Sequence, residues 1–132
     1  MECKAPIYAL RGATTVESDN REEVIRNIKA LYEAILKENE LEEEDLVYIH
    51  FSQTKDIRTI NAASALRASG YGQAVPLFCT QEADVENSLK YCIRVLILVG
   101  HPENKKKKMI YLERSSALRP DYQKGNWVLW FT

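Results

Sequence analysis

The sequence contains few of the residues from which metal and redox sites are built. Its three cysteines, Cys3, Cys79 and Cys92, form an odd count without a CxxC pair, a pattern that favours reduced thiols over a disulfide framework. Its two histidines, His50 and His101, lie far apart, and no histidine lies near Cys79 in the sequence. We therefore expect no metal site and no cysteine nucleophile.

Long apolar runs and targeting signals are absent as well. The longest apolar stretch, Val95 to Val99, is far below the ~20 residues that a membrane helix needs. The first residues, MECKAPIYALRG, lack the apolar run and cleavage site of a signal peptide, so we expect a cytoplasmic protein. A formal net charge of −1, from 18 basic and 19 acidic residues, indicates neither nucleic acid nor an anionic membrane as a partner.

The composition is that of a chain that folds into a single unit. Hydrophobic residues make up 45% and charged residues 28% of 132 residues, which is typical of one soluble domain. We expect a single domain over residues 1–132, with its core at about residues 7–121. The tail, residues 122–132, is unusually apolar, and its role is not predicted from the sequence.

The spacing of apolar residues predicts an α+β fold. The order of elements favours a mixed β-sheet with helices packed on one face. The other face and the edges of such a sheet would stay open, and an oligomer would cover them. Arg11 is predicted to end the first strand before a turn that begins at Gly12, and Asp19 or Asn20 to cap the first helix. The predicted strands are 7–11, 46–51, 75–79, 91–99 and 109–113, and the predicted helices are 21–38 and 61–69.

Three charged residues are candidates for chemistry. Arg94 interrupts the apolar run CIRVLILV, and strand alternation places it on one face with Cys92, Leu96 and Leu98. A guanidinium there needs a carboxylate or an anionic ligand, so either a structural ion pair or an anion site is possible. Arg11 has the same two interpretations. Glu82, directly after a strand, could accept a hydrogen bond from a substrate hydroxyl or lie in a turn.

Several common catalytic motifs are missing. The sequence has no glycine-rich phosphate loop, no GxSxG and no HExxH, so hydride, phosphoryl and acyl transfer and zinc hydrolysis lack their usual residues. Arginines, one glutamate and a tyrosine remain. Such a set suits binding of a small dicarboxylate, or electrostatic catalysis that needs no proton relay.

Five segments carry a resemblance to a known family: RGATTVE at 11–17, CTQEADV at 79–85, KYCIRVLI at 90–97, IYLERS at 110–115 and LRPD at 118–121. Together they resemble the AroH-class monofunctional chorismate mutases. The resemblance implies conversion of chorismate to prephenate by a [3,3]-sigmatropic rearrangement, in the shikimate pathway to phenylalanine and tyrosine, without a cofactor or a metal. It also implies a homotrimer with a pseudo-α/β-barrel and three active sites between neighbouring subunits.

The resemblance also implies roles for individual residues. Arg11 resembles the arginine that holds a substrate carboxylate, Arg94 the one beside the breaking ether oxygen, and Glu82 the acceptor of the ring hydroxyl. Tyr111 joins them as a catalytic residue that lines the pocket. The predicted substrate-binding residues are Phe78, Cys79, Thr80 and Gln81 as pocket lining, and Arg67, Leu118 and Arg119 as a second tier that captures substrate.

Two positions depart from the family pattern. Asn61 stands where a Phe-Pro-Ala-type segment is usual, and Phe78 stands where a smaller or hydroxylated residue is common. Two alternative functions stay open, of which only the second is motivated by these departures. One is a trimeric imine or enamine deaminase-like hydrolase, against which the pairing of Arg94 with Glu82 argues. The other is a metabolite-binding trimer without catalytic activity.

Overall fold

The computed structural model describes residues 7–100 and 107–120. The predicted tail at 122–132 lies outside these ranges, as do Cys3 and His101. Two short 3₁₀ helices, Glu43–Asp45 and Glu113–Leu118, accompany the main elements. In chain order these elements are β1 (Tyr8–Thr15), α1 (Arg21–Glu38), β2 (Leu46–Gln53), α2 (Ala62–Ala68), β3 (Leu77–Gln81), β4 (Cys92–Val99) and β5 (Ile110–Tyr111).

The five strands form one mixed sheet in the order β3-β2-β4-β1-β5. The central strand β4 pairs antiparallel with both β1 and β2. The outer strands β5 and β3 pair parallel with β1 and β2, respectively. The α+β class and the mixed sheet predicted from the sequence are thus confirmed, and β4, which has the strongest strand pattern, lies at the centre.

Helix α1 forms where the sequence predicts it. Asn20 caps its first turn, accepting a hydrogen bond from the Glu23 backbone N–H at 2.9 Å. Apolar residues three and four positions apart share one buried face. Neither α-helix in the described ranges is long and apolar enough to cross a membrane. The buried residues of α1 are Val24, Ile28, Leu31, Tyr32 and Ile35.

The turn predicted at Gly12 is wrong. Strand β1 continues to Thr15, so Arg11 lies within the strand and not at its end. Gly12 is needed there because β5 and α1 approach closely. A Cβ atom at this position would lie 2.7 Å from the carbonyl oxygen of Ile110 and 3.1 Å from Cδ1 of Ile35. A glycine that admits a neighbouring backbone resembles a turn glycine in sequence, which explains the error.

Other strand boundaries also differ from the prediction: β2 continues two residues further, to Gln53, β3 continues to Gln81, and β4 starts at Cys92. Strand β3 starts at Leu77, two residues late, since Pro76 has no N–H to give to the ladder and only its carbonyl accepts, from the Ile49 N–H at 3.0 Å. Strand β5 ends at Tyr111, because the chain turns into a 3₁₀ helix at Glu113, whose φ is 55°.

Both α-helices pack on the same face of the sheet. Gly12 faces α1. It is paired across the sheet with Val95, and Val95 with Phe51, so all three share that face. Gln53, two residues after Phe51, also lies on this face and bonds the first turn of α2. The two helices also contact each other. The opposite face, here called the open face, carries the half-buried side chains of Arg94, Leu96 and Leu98 and the exposed rings of Tyr48 and Phe78.

Candidate active site

A cavity of about 340 Å³ lies on the open face, over the middle of the sheet. Strands β1, β2, β3, β4 and β5 all contribute to its wall, so the sheet register decides which side chains meet there. The lining residues are Arg11, Gly12, His50, Ser52, Thr80, Arg94, Val95, Leu96 and Tyr111.

Cross-strand pairing arranges the cavity residues in rows. The first row consists of Thr80, Ser52, Arg94, Ala13 and Tyr111, each paired with the next on the neighbouring strand. Residues that are paired across a sheet project on the same face with Cβ atoms about 5 Å apart. Backbone hydrogen bonds of five strands therefore fix the spacing between Arg94 and the hydroxyl-bearing side chains on either side.

The second row lies beside the first. It consists of Phe78, His50, Leu96 and Arg11, paired in the same way. Arg11 thus projects next to Arg94 on the adjacent strand. The guanidinium of Arg11 makes no hydrogen bond to any residue in 7–100 or 107–120, which leaves it free to meet an anionic ligand.

Arg94 has a carboxylate partner. Its Nε donates to Oε1 of Glu82 at 3.1 Å. The side chains are 37% and 15% exposed, so the pair stands at the edge of the cavity and is partly shielded from solvent. Among the described residues this is the only hydrogen bond of the guanidinium. The two terminal nitrogens of Arg94 remain for a ligand, and both interpretations of this arginine, ion pair and anion site, are compatible with the geometry.

Both the backbone and the side chain of Glu82 make hydrogen bonds. Its backbone N–H donates to the carbonyl of Gln53 at 3.0 Å, which continues the β2–β3 ladder past the last residue of β3. Its side chain accepts from Ser52 Oγ at 3.3 Å in addition to Arg94. Glu82 is therefore not a solvent-exposed turn residue, which was one of its two interpretations from the sequence.

Tyr111 is the most buried of the predicted catalytic residues, with 4% of its surface exposed. It borders the cavity from β5, next to Ala13. The four predicted catalytic residues, Arg11, Glu82, Arg94 and Tyr111, are therefore brought together on one face.

The other predicted site residues are divided between two places. Thr80 lines the cavity, and Phe78, 64% exposed, packs its ring edge-on against His50 with centroids 5.6 Å apart. Cys79 lies on the helix side of β3, with Sγ 3.3 Å from Oε1 of Gln53. Gln81 alternates with Thr80 and shares the side of Cys79.

The predicted second tier does not reach this cavity. Arg67 is exposed in the last turn of α2, on the helix side of the sheet. Leu118 and Arg119 are half-buried at the end of the second 3₁₀ helix, and none of the three lines the cavity. One copy of the chain thus assembles the predicted catalytic residues but keeps Arg67 and Cys79 apart from them.

Sequence reasoning missed His50 and Ser52. Nε2 of His50 lies 3.2 Å from Oγ1 of Thr80, and Ser52 bonds Glu82. The alternation in LVYIHFSQ could have identified both residues. Ile49 and Phe51 face the helices, so His50 and Ser52 must share the face of Arg94.

Cys92 lies on the strand two residues before Arg94 and is fully buried. Burial raises the pKa of its thiol to about 11, and the Arg94 guanidinium opposes this shift only in part. The thiol is therefore protonated at neutral pH and adds no charge beside Arg94.

Comparisons with known proteins agree on one family. A family model described as chorismate mutase type I matches residues 7–122. A chorismate mutase AroH from Bacillus subtilis (strain 168) is 42% identical over 117 residues, which cover 87% of this chain and 91% of the relative. One from Thermus thermophilus is 32% identical over 120 residues, covering 89% and 97%. The solved structure of a chorismate mutase from Clostridium thermocellum matches with a TM-score of 0.78 and 36% identity, covering 83% of this chain and 98% of that one.

Proposed function

The chain belongs to the chorismate mutase type I family and is a chorismate mutase, and we propose that it rearranges chorismate in the cavity on its open face. Chorismate mutases are isomerases, and this one functions in the biosynthesis of phenylalanine and tyrosine. The observation that carries the proposal is the placement of Arg94, hydrogen-bonded to Glu82, in the same cavity as Arg11.

The reaction sets two physical requirements. A [3,3]-sigmatropic rearrangement breaks one C–O bond and forms one C–C bond within a single molecule, so it needs no nucleophile, base or redox centre. The enzyme has to hold the flexible side chain of chorismate over the ring, an orientation effect that can contribute several kcal/mol. It also has to stabilise the negative charge that grows on the ether oxygen in the transition state.

We propose that Arg94 stabilises this charge. Arg94 lines the cavity together with the half-buried Leu96, and hydrogen-bond donors fixed there before the reaction are worth more than they are in water. By comparison with other oxyanion donors, one such contact is worth roughly 3 to 4 kcal/mol. Glu82 keeps the guanidinium in place through Nε, which leaves the forked end for the substrate.

The remaining residues are assigned to binding. Arg11 holds a carboxylate of chorismate, and Glu82 accepts the ring hydroxyl. Tyr111 forms the wall opposite β2 and donates its hydroxyl to the bound ligand. The charge of the cavity supports binding of chorismate, because chorismate carries two negative carboxylates and the cavity is lined by two positive guanidinium groups.

We also propose a homotrimer with a pseudo-α/β-barrel, in which each site lies between two subunits. Three observations support it. The cavity of one copy is open, Arg67 and Cys79 lie on the helix side of the sheet, and β3 is an edge strand. A second copy placed against β3 would bring its own Arg67 near Arg94, and would cover Phe78 and Tyr48.

The departure at Asn61 has a structural explanation. Its side chain accepts a hydrogen bond from the Ser64 N–H at 2.9 Å and so caps α2. A polar residue at this position therefore stabilises the helix that carries Arg67, and its presence does not argue against a substrate site nearby. The second departure, Phe78, lies against His50 at the rim of the cavity.

The function is tested by mixing the purified protein with chorismate and following the loss of its ultraviolet absorbance. Turnover should persist after chelator treatment and gel filtration, because the reaction needs no cofactor. Absence of turnover would refute the function. Tight binding of an oxabicyclic transition-state mimic without turnover would then favour the non-catalytic binding protein, and ammonia release from an imine would favour the deaminase-like hydrolase.

The shared site is tested by subunit complementation. Arg94→Ala and Arg67→Ala proteins are unfolded together, refolded as a mixture and assayed. If each site takes Arg94 from one subunit and Arg67 from its neighbour, roughly a quarter of the sites in an equal mixture regain both arginines. A mixture no more active than the sum of its two components would contradict the shared site, and sedimentation equilibrium measures the number of subunits.

We further propose a single domain that acts in the cytoplasm. The buried apolar residues of the described ranges form one cluster, which includes Leu10, Ile49 and Tyr111. Cys79 and Cys92 are free thiols, as suits a reducing compartment. Limited proteolysis that yields a stable sub-fragment would contradict the single domain, and cell fractionation checks the location.

A further inference from the structure

Ser52 lies in the first row of the cavity, beside Arg94. Its neighbours across the sheet are Arg94 on β4 and Thr80 on β3. Its side chain is half-buried, and its Oγ donates to Oε1 of Glu82 at 3.3 Å. A serine on the open face therefore contacts the carboxylate that is proposed to bind the substrate.

The two oxygens of Glu82 have different surroundings. Oε1 accepts from both Ser52 Oγ and Arg94 Nε, at 3.3 and 3.1 Å. Oε2 accepts no hydrogen bond from any residue in the described ranges. With one donor alone, the carboxylate could rotate about its Cγ–Cδ bond and offer either oxygen. Two donors from two strands define the plane of the carboxylate and leave Oε2 as the acceptor.

We propose that Ser52 is a positioning residue, which holds Oε1 of Glu82 so that Oε2 is directed at a hydroxyl group of the ligand. This role rests on the proposed function, because the hydroxyl is that of the rearranging substrate. Ser52 itself touches no reacting atom. The backbone N–H of Glu82 is already bonded to the carbonyl of Gln53, so the positioning concerns the side chain.

The role predicts a specific kinetic effect. Ser52→Ala lowers kcat/KM by about tenfold, the usual effect of losing one hydrogen bond to a charged group. Ser52→Thr retains a hydroxyl on a side chain that strands accommodate well, and it restores at least half of the wild-type value. Thermal unfolding of both variants, at one protein concentration, verifies that each folds.

A double-mutant cycle separates positioning from a general structural effect. In a Glu82→Ala background, assayed at raised enzyme concentration, Ser52→Ala should cause no further loss, because the carboxylate that it positions is gone. Thr80→Ala is the matched control. Its hydroxyl lies in the same row but contacts His50, so its effect should be the same fold-change with and without Glu82.

Three outcomes would count against the role. An active wild-type enzyme whose Ser52→Ala variant keeps the wild-type kcat/KM would overturn it. So would a Ser52→Ala effect of the same size in the Glu82→Ala background, which would mean that the serine acts directly or through the fold. A wild-type protein that does not turn over chorismate would overturn the proposed function together with this role.

Discussion

Nε of Arg94 donates a hydrogen bond of 3.1 Å to Oε1 of Glu82, which joins the central strand of the sheet to the residue that follows its outermost strand. The two side chains orient each other. In the proposed function, the carboxylate receives the ring hydroxyl, and the guanidinium it holds offers its free end to the ether oxygen. Loss of either residue therefore affects both binding and the chemical step.

Removal of the Arg94 guanidinium should abolish turnover while the fold persists. We expect Arg94→Ala to lower kcat by about 10²–10³-fold or more, which is the loss seen when one oxyanion donor is removed. Arg94→Lys keeps the charge but lacks the fork that bonds Glu82 and the substrate together, so it should remain badly impaired. Steady-state kinetics with chorismate measure both effects.

Circular dichroism and the unfolding midpoint provide the control for these two variants. Arg94 lies on the open face and is 37% exposed in its side chain, so its loss should leave the helix-side core unchanged. Near-normal kcat in either variant would remove Arg94 from the chemical step.

Much of this arrangement could be predicted from the sequence because it depends on periodicity. The 3.6-residue repeat located α1, and the alternation in CIRVLILV placed Arg94 opposite the helices. Arg94, Arg11 and Glu82 were candidates from their positions in the sequence, but their roles, and the choice of Tyr111, came from resemblance to a family. Nothing in the spacing of Arg11, Glu82 and Tyr111 indicates that they meet. Their meeting depends on strand order, which is set by long-range packing.

Gln53 provides a second prediction, on stability. This buried side chain donates to the carbonyls of Ile57 and Ile60 at 3.1 and 3.3 Å, and accepts from the Ala62 N–H at 2.8 Å. Gln53→Ala would leave these backbone groups unsatisfied, at a cost of about 1–3 kcal/mol for each group that water cannot reach. Urea denaturation should show the loss.

The matched control for Gln53 is Gln73→Ala. Gln73 is exposed and makes a single bond, to the carbonyl of Tyr71 at 3.4 Å, so its replacement should change the free energy of unfolding by less than about 0.5 kcal/mol. Equal effects of the two substitutions would contradict the assigned role. Gln53 could not be singled out from the sequence, because a strand-end glutamine is usually a surface residue.

The alkaline limb of the stability profile should depend on Cys92. Burial raises the pKa of its thiol from 9.0 to about 11 in the folded state. Below pH 9 the thiol is protonated in both states and its contribution to stability is fully present. Between pH 9 and 11 the unfolded chain loses the proton first, so stability falls as pH rises, by at most about 1.4 kcal/mol per pH unit.

Cys92→Ala should remove this part of the slope. The measurement is the free energy of unfolding of wild type and variant across the same pH range, in urea and with a reductant. The two curves should converge as pH rises above 9, because only the wild type loses the thiol contribution. Parallel curves would show that the Cys92 thiol does not titrate differently in the two states.

Gly12→Ala tests the contact between β1 and β5. A new Cβ atom would lie 2.7 Å from the Ile110 carbonyl oxygen, which belongs to the backbone and cannot rotate away. We expect a loss of roughly 2–3 kcal/mol from overpacking, seen as a lower unfolding midpoint at fixed protein concentration. Since β5 also carries Tyr111, its displacement should lower kcat/KM for chorismate as well.

Gly100→Ala is the matched control, because it also replaces a glycine by alanine but creates no close contact. At Gly100 the nearest atom to a new Cβ would be Cγ2 of Val47 at 3.4 Å, an ordinary van der Waals distance, so the midpoint should change little. A further variant, Tyr111→Phe, separates the effect of Tyr111 on activity from the effect of Gly12→Ala on packing. It removes only the hydroxyl, so it should lower kcat/KM without the overpacking that Gly12→Ala introduces. If Gly12→Ala and Gly100→Ala unfold at the same temperature, the close approach of β5 to β1 is wrong, and the position of Tyr111 in the cavity would have to be revised with it.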